Sequence, residues 1–157
     1  MRRIRVLALL LLAIAIPATA QTFDVSLRAS GPACLSIGQI SWRAVPNAVH
    51  ADTTVWLDPA AAAPDIRIQI AETADAADFV FVDDGATPPA CPHGGAVRTV
   101  KIDAVAPDLV AQITTGSEAA DYRIFVRSRW LAPQTAAALF AAAHIRPRTL
   151  ARADRSN

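Results

Sequence analysis

The side chains best suited to catalysis are few in this chain. Three histidines, His50, His93 and His144, could act as general bases, but no Gly-x-Ser-x-Gly turn supplies a serine nucleophile. His144 falls at the end of a predicted helix, where a positive charge suits the helix dipole. A small secreted hydrolase that pairs His50 or His93 with a carboxylate stays open as an alternative. It requires a concave pocket that holds both groups. We assign no catalytic residue.

A second alternative is metal or small-ligand carriage near Cys91-Pro92-His93, where a thiol and an imidazole stand two positions apart. Structural zinc sites use paired Cys/His spacings, which this sequence lacks. Asp83-Asp84-Gly85 is interpreted more simply as a turn that ends a strand. The sequence therefore predicts neither a metal site nor a cofactor.

The two cysteines of the chain, Cys34 and Cys91, are predicted to form a disulfide. An even pair in an oxidising compartment is most simply one bridge. The bridge would close a loop of about 57 residues, for which the chain-entropy model gives roughly 4 kcal/mol of stabilisation. Such a bridge would also remove the thiolate from any metal or catalytic role.

The oxidising compartment is inferred from residues 1–20. Arg2, Arg3 and Arg5 form a positive region, an apolar run follows over 6–16, and Ala18-Thr19-Ala20 has the small residues that a signal peptidase recognises. This pattern predicts a signal peptide cleaved before Gln21. No later apolar stretch approaches the roughly 20 residues of a membrane span, so none is predicted in the mature chain. A composition rich in alanine and arginine is typical of a GC-rich bacterium, which suggests the periplasm or the medium.

Charge further limits the class of partner. The whole chain carries a net charge of +1, with 15 basic and 14 acidic residues. Removal of 1–20 takes three arginines away, and residues 21–145 hold 8 basic against 13 acidic residues. An acidic body argues against nucleic acid as the partner. We expect one globular domain over 21–145 and a basic, disordered tail over 146–157.

Hydrophobic periodicity predicts a series of strands followed by one helix. An alternating segment such as 65–70 indicates a half-buried strand, whereas 79–82 is apolar on both faces and indicates a central strand. The apolar stripe after Pro133 has helical spacing and is stopped by Pro147. The predicted strands are 22–28, 53–57, 65–70, 79–82, 97–103, 109–114 and 122–128.

An internal similarity bears on how these strands pair. Residues 64–79 and 107–122 align without gaps at a spacing of 43, and the matched positions include Asp65 with Asp108. Each unit consists of a strand, a seven-residue link and a second strand. Because parallel crossovers usually need a dozen or more residues, each unit is predicted to be an antiparallel pair. The expected fold is α+β: a mainly antiparallel sheet of five or more strands, a C-terminal helix packed on one face, and a single disulfide.

A row of basic residues is the strongest candidate for a binding surface. Alternation places Arg123, Phe125, Arg127 and Arg129 on one side of a strand, and Trp130 follows. Arginines beside aromatic residues can bind an anionic ligand or an acidic protein. The alternative is a solvated face whose arginines pair with neighbouring carboxylates. The hypothesis that follows is a non-catalytic periplasmic or secreted interaction domain, which binds a protein or envelope component through Arg123, Arg127, Arg129 and Trp130. Its oligomeric state stays open.

Overall fold

A computed structural model describes residues 33–91, 95–114 and 119–145. These residues form eight strands, a short 3-10 helix over Ala74–Ala76 and one α-helix. The strands are β1 (Cys34–Ile37), β2 (Ile40–Ala44), β3 (Thr53–Leu57), β4 (Ile66–Ile70), β5 (Phe79–Asp83), β6 (Ala96–Ile102), β7 (Leu109–Thr114) and β8 (Tyr122–Ser128). The helix α1 spans Pro133–His144. The predicted signal peptide over 1–20, the strand predicted over 22–28 and the tail over 146–157 lie outside the described residues.

All eight strands belong to one curled, half-barrel sheet in the order β1-β2-β6-β3-β7-β4-β8-β5. The β1–β2 hairpin is antiparallel, and every other pair in this sheet is parallel. The two runs β2 to β5 and β6 to β8 therefore interleave, so that strands adjacent in sequence within each run are never adjacent in the sheet. The prediction of a mainly antiparallel sheet was wrong.

The register explains how short links are compatible with parallel strands. From β3 onward across the sheet, each strand starts opposite the third residue of its neighbour. The printed pairs are Leu109 with Val55, Ile66 with Ala111, Tyr122 with Ile68, and Phe79 with Ile124. Consequently the link from β4 to β5 does not return along a whole strand. It moves sideways past β8, by about two strand spacings or 10 Å, which eight residues span easily.

The strand over 79–83 also differs from its prediction. Phe79–Asp83 was expected at the centre of the sheet because it is apolar on both faces, but β5 lies at the edge, with β8 as its one neighbour among the described strands. Its outward side chains Val80 and Val82 are each 48% exposed. β5 thus has apolar side chains on both faces, but those on its outward face remain about half exposed.

A 13-residue period underlies the sheet. Strands β2 to β5 start at residues 40, 53, 66 and 79, and strands β6 to β8 start at residues 96, 109 and 122. The aligned units 64–79 and 107–122 occupy equivalent places, β4 to β5 and β7 to β8. An aspartate immediately precedes five of these strands: Asp52, Asp65, Asp78, Asp108 and Asp121.

Each of these five aspartates fastens its strand to the neighbouring strand, and we call this contact the aspartate clasp. One carboxylate oxygen accepts a hydrogen bond of 2.7–2.8 Å from a backbone N–H of the neighbour. The donors are Thr99, Val110, Arg123, Thr54 and Arg67, in the order of the aspartates above. Four of the aspartates also donate their own N–H to the carbonyl of that same residue. Since hydrogen bonds to ionised acceptors are about twice as strong as neutral ones, we expect the clasp to stabilise the observed stagger between strands.

The hollow of the sheet is filled by α1. As predicted, this helix begins at Pro133 and packs on one face of the sheet. Every residue from 135 to 142 is buried, because the curled sheet contacts the helix over a wide arc. The ring of Phe140 packs edge-on against Phe79, Phe81 and Tyr122 at centroid distances of 4.8, 6.2 and 5.3 Å. No helix in the described ranges is long and apolar enough to span a membrane.

The predicted disulfide is confirmed: Cys34 in β1 is bonded to Cys91, which follows β5. The Cys34 N–H also donates to the Pro89 carbonyl, at 3.1 Å. The two outermost strands of the sheet are therefore joined through the 84–91 segment. This covalent link holds the two edges of the half-barrel near each other.

Candidate binding surface

The candidate surface lies on the side of the sheet that faces away from α1. Tyr122, Ile124 and Val126 contact the core, as the alternation of β8 predicts. Arg123 and Arg127, on the opposite side of the same strand, are exposed, and Phe125 between them is half-buried. β8 thus places Arg123 and Arg127 outward, whereas Arg129 lies in the bend that follows the strand.

Two of the four predicted binding residues also have contacts within the protein. The Arg127 guanidinium forms two hydrogen bonds to the Asp84 carboxylate, at 2.8 and 3.3 Å. The indole Nε1 of Trp130 donates to the Gly85 carbonyl at 3.2 Å. Both contacts hold the loop that follows β5. Arg127 therefore shows the carboxylate pairing that the solvated-face alternative expects, although the partner is a loop residue.

The other cations near this surface form no ion pair with described residues. Arg123 and Arg129 are exposed, and neither guanidinium has an ion-pair partner within the described part of the chain. Arg67 of β4 lies on the same face, with Gln112 opposite it in β7. Arg67 was missed as a binding candidate, although the alternation of 65–70 already places its side chain outward. The described residues likewise include no ion-pair partner for Arg67.

Apolar side chains adjoin these arginines. Val80 of β5 lies opposite Phe125, and Val82 lies opposite Arg127. We name the combined surface the β4–β8–β5 face. It consists of Arg67, Val80, Val82, Arg123, Phe125 and Arg127, and the exposed Arg129 follows in the bend after β8. Cationic groups beside half-exposed apolar groups are suited to a partner that offers both carboxylates and hydrophobic contacts.

The two described histidines, His50 and His144, lie in different parts of the fold. His50 is exposed in the link between β2 and β3. The His144 ring stacks on Phe140 with a centroid distance of 3.8 Å, and its Nδ1 lies 3.0 Å from the Phe140 carbonyl oxygen. His93 lies outside the described residues. No group of three or more possible metal ligands occurs among the residues searched.

A pocket of about 230 Å³ separates the two edges of the sheet. Its lining includes Cys34 and Leu35 of β1, the stretch 80–83 of β5, and Leu131 after β8. The Oδ2 atom of Asp83 is buried and has no hydrogen-bond partner within the described ranges. Otherwise the lining is mainly apolar, so the pocket is a gap between strand edges rather than a set of converging catalytic groups.

Two carboxylates on other parts of the sheet have perturbed acidity. The hydroxyl and the backbone N–H of Thr99 hold the pKa of Asp52 below its ordinary value of 3.8, and Arg98 contributes further. A hydrogen bond from Lys101, together with backbone N–H groups, lowers the pKa of Asp103. Both shifts favour the ionised carboxylate, as expected for structural acceptors rather than for general acids.

Comparisons with protein-family models, with curated proteins and with solved structures found no match to this chain.

Proposed function

We propose that this chain is a non-catalytic interaction domain, exported to the periplasm or the medium, that binds an anionic protein or envelope component through the β4–β8–β5 face. The observation that carries the proposal is the pair of outward cations Arg67 and Arg123 beside the exposed Val80 and Val82, with the exposed Arg129 just beyond the end of β8. Solvated cations contribute little to stability, so their grouping beside apolar surface favours recognition of a partner.

Electrostatic complementarity acts mainly on the rate of encounter and on specificity. The Arg127–Asp84 pair supports recognition indirectly, because it fixes the loop beside the face. Binding through Arg123 and Arg129 should therefore weaken as salt rises, since exposed charges are screened over a Debye length of about 8 Å at physiological ionic strength.

The experiment is quantitative cross-linking and capture from the native envelope with the Arg123→Ala/Arg129→Ala variant. If either arginine is a binding hot spot, its truncation costs more than about 1 kcal/mol, which corresponds to at least fivefold weaker capture. Arg98→Ala is the matched control, because Arg98 is exposed and paired with Asp52 at a distant part of the sheet. Capture that is equal for all three proteins would reject this face.

A further inference from the structure

The repeating pattern of the sheet breaks off at the outer edge of β5. In β3, β4, β7 and β8, the N–H of the second residue donates to the aspartate that precedes the next strand. The second residue of β5 is Val80. Within the described ranges no strand follows β5 in the sheet, and no aspartate occupies the corresponding position beside Val80. In the part of the chain that the structure describes, the outer edge of β5 therefore has neither a clasp nor a neighbouring strand.

The side chains of β5 indicate the same missing neighbour. A strand that is apolar on both faces is typical of the interior of a parallel sheet, yet β5 lies at an edge of the described sheet. The pocket of about 230 Å³ runs between this edge and β1. An added strand would be flanked by β5 on one side and by β1 on the other.

The chain itself contains a segment with the required pattern. Asp24-Val25-Ser26-Leu27-Arg28 has an aspartate followed by alternating apolar and polar residues, as does Asp65-Ile66-Arg67-Ile68. We propose that residues 24–28 dock on the free edge of β5 as a parallel strand, with the Asp24 carboxylate accepting a hydrogen bond from the Val80 N–H.

The register and the connection are both determined by the rest of the sheet. Because strands start opposite the third residue of the preceding neighbour, Val25 pairs with Phe81 and Ser26 with Val82. β5 runs toward Asp83, which lines the pocket together with Ala33 and Cys34. Four residues, 29–32, then connect the segment to Ala33. Since β1 runs opposite to the other strands, a strand parallel to β5 is antiparallel to β1, and this is the arrangement of a hairpin.

Amide hydrogen exchange in the full chain tests the clasp directly. We expect the Val80 amide to be protected, and Asp24→Ala to speed its exchange at least tenfold while the buried Val55 amide keeps its rate. The matched control is Asp75→Ala, which alters an exposed aspartate of the 3-10 helix. A Val80 amide that exchanges in the unaltered chain as fast as that of Val49, a residue 88% exposed, would overturn the proposal.

Cysteine cross-linking tests the register and the identity of the occupant. Neighbouring parallel strands lie about 4.8 Å apart, within the Cα range of a disulfide. Peptide mapping of Ser26→Cys/Val82→Cys should find a bridge between these positions in one chain, whereas Ser26→Cys/Val97→Cys, which uses the exposed Val97 of β6, should give none. A bridge found only between two copies, or a 26–82 bridge no more abundant than the 26–97 bridge, would refute the docking of 24–28 in its own chain.

Discussion

The carboxylate of Asp65 accepts a hydrogen bond from the backbone N–H of Val110 at 2.7 Å, and the Asp65 N–H donates to the Val110 carbonyl at 2.8 Å. A hydrogen bond to a charged group typically contributes about 1.5–3 kcal/mol to stability. We therefore expect Asp65→Ala to lower the free energy of unfolding by about that amount. Chemical denaturation measures this change.

The control for the clasp is Asp75→Ala, since Asp75 is exposed in the 3-10 helix and is not one of the five clasp residues. A surface substitution of this kind should change stability by less than about 0.5 kcal/mol. Equal effects of the two substitutions would contradict a stabilising role for the clasp.

Acid should weaken the Asp52 clasp in a defined direction. The pKa of Asp52 is lowered in the folded protein by Thr99, so its stabilising effect is complete well above the ordinary value of 3.8 and is lost as pH falls through the lower folded pKa. The unfolding free energy of the wild type should therefore fall more steeply below about pH 5 than that of Asp52→Asn.

Thr99→Val provides the matched control for that titration, because it removes the hydroxyl donor while leaving the carboxyl group in place. We expect the Asp52 pKa, followed by NMR of the carboxyl carbon, to move upward toward 3.8 in this variant. An unchanged Asp52 pKa would show that the Thr99 hydroxyl does not cause the shift.

Loss of the disulfide should be costly because it joins the two edges of the sheet. The Cys34→Ser/Cys91→Ser variant should lose about 4 kcal/mol of unfolding free energy, the value of the chain-entropy model for a separation of 57 residues. Reductant should destabilise the wild type during denaturation but leave the variant unaffected. A wild type that is insensitive to reductant and as stable as the variant would contradict this prediction.

Phe140 is the side chain whose truncation should damage the core most. Its ring is fully buried and contacts the rings of Phe79, Tyr122 and His144. Phe140→Ala should lower the unfolding free energy by about 3–5 kcal/mol, as for other buried Phe→Ala changes. Phe140→Leu retains more volume and should cost less. Thermal unfolding that ranks the two variants in the opposite order would count against this packing.

Local structure was predictable because it depends on neighbours in sequence. Alternation indicated β4, β6 and β8, and Pro133 indicated the start of α1, all of which are observed. The pairing of strands was not predictable in this way, since the short link was judged as if β4 and β5 were adjacent. The aspartates at the 13-residue strand period were the signal that could have revealed a staggered parallel sheet.

The candidate surface could be predicted from the sequence only in part. The outward position of Arg123 and Arg127 follows from the two-residue period of a strand. The ion pair of Arg127 with Asp84, in contrast, depends on where the loop after β5 folds back. The addition of Arg67 to the same face required knowledge that β4 is the neighbour of β8.

The interleaving of the two strand runs has a consequence for folding kinetics. Residues in contact across the sheet are far apart in sequence: the Thr54–Asp108 and Arg67–Asp121 bonds each span 54 positions. Among the described strands, β3 and β4 pair only with β6, β7 and β8, which are synthesised later, and the helix α1 that fills the hollow comes last. A topology of such high contact order folds slowly, on the scale of about milliseconds to seconds. A nascent chain cannot complete this sheet from its first half, so folding must wait for nearly the whole domain.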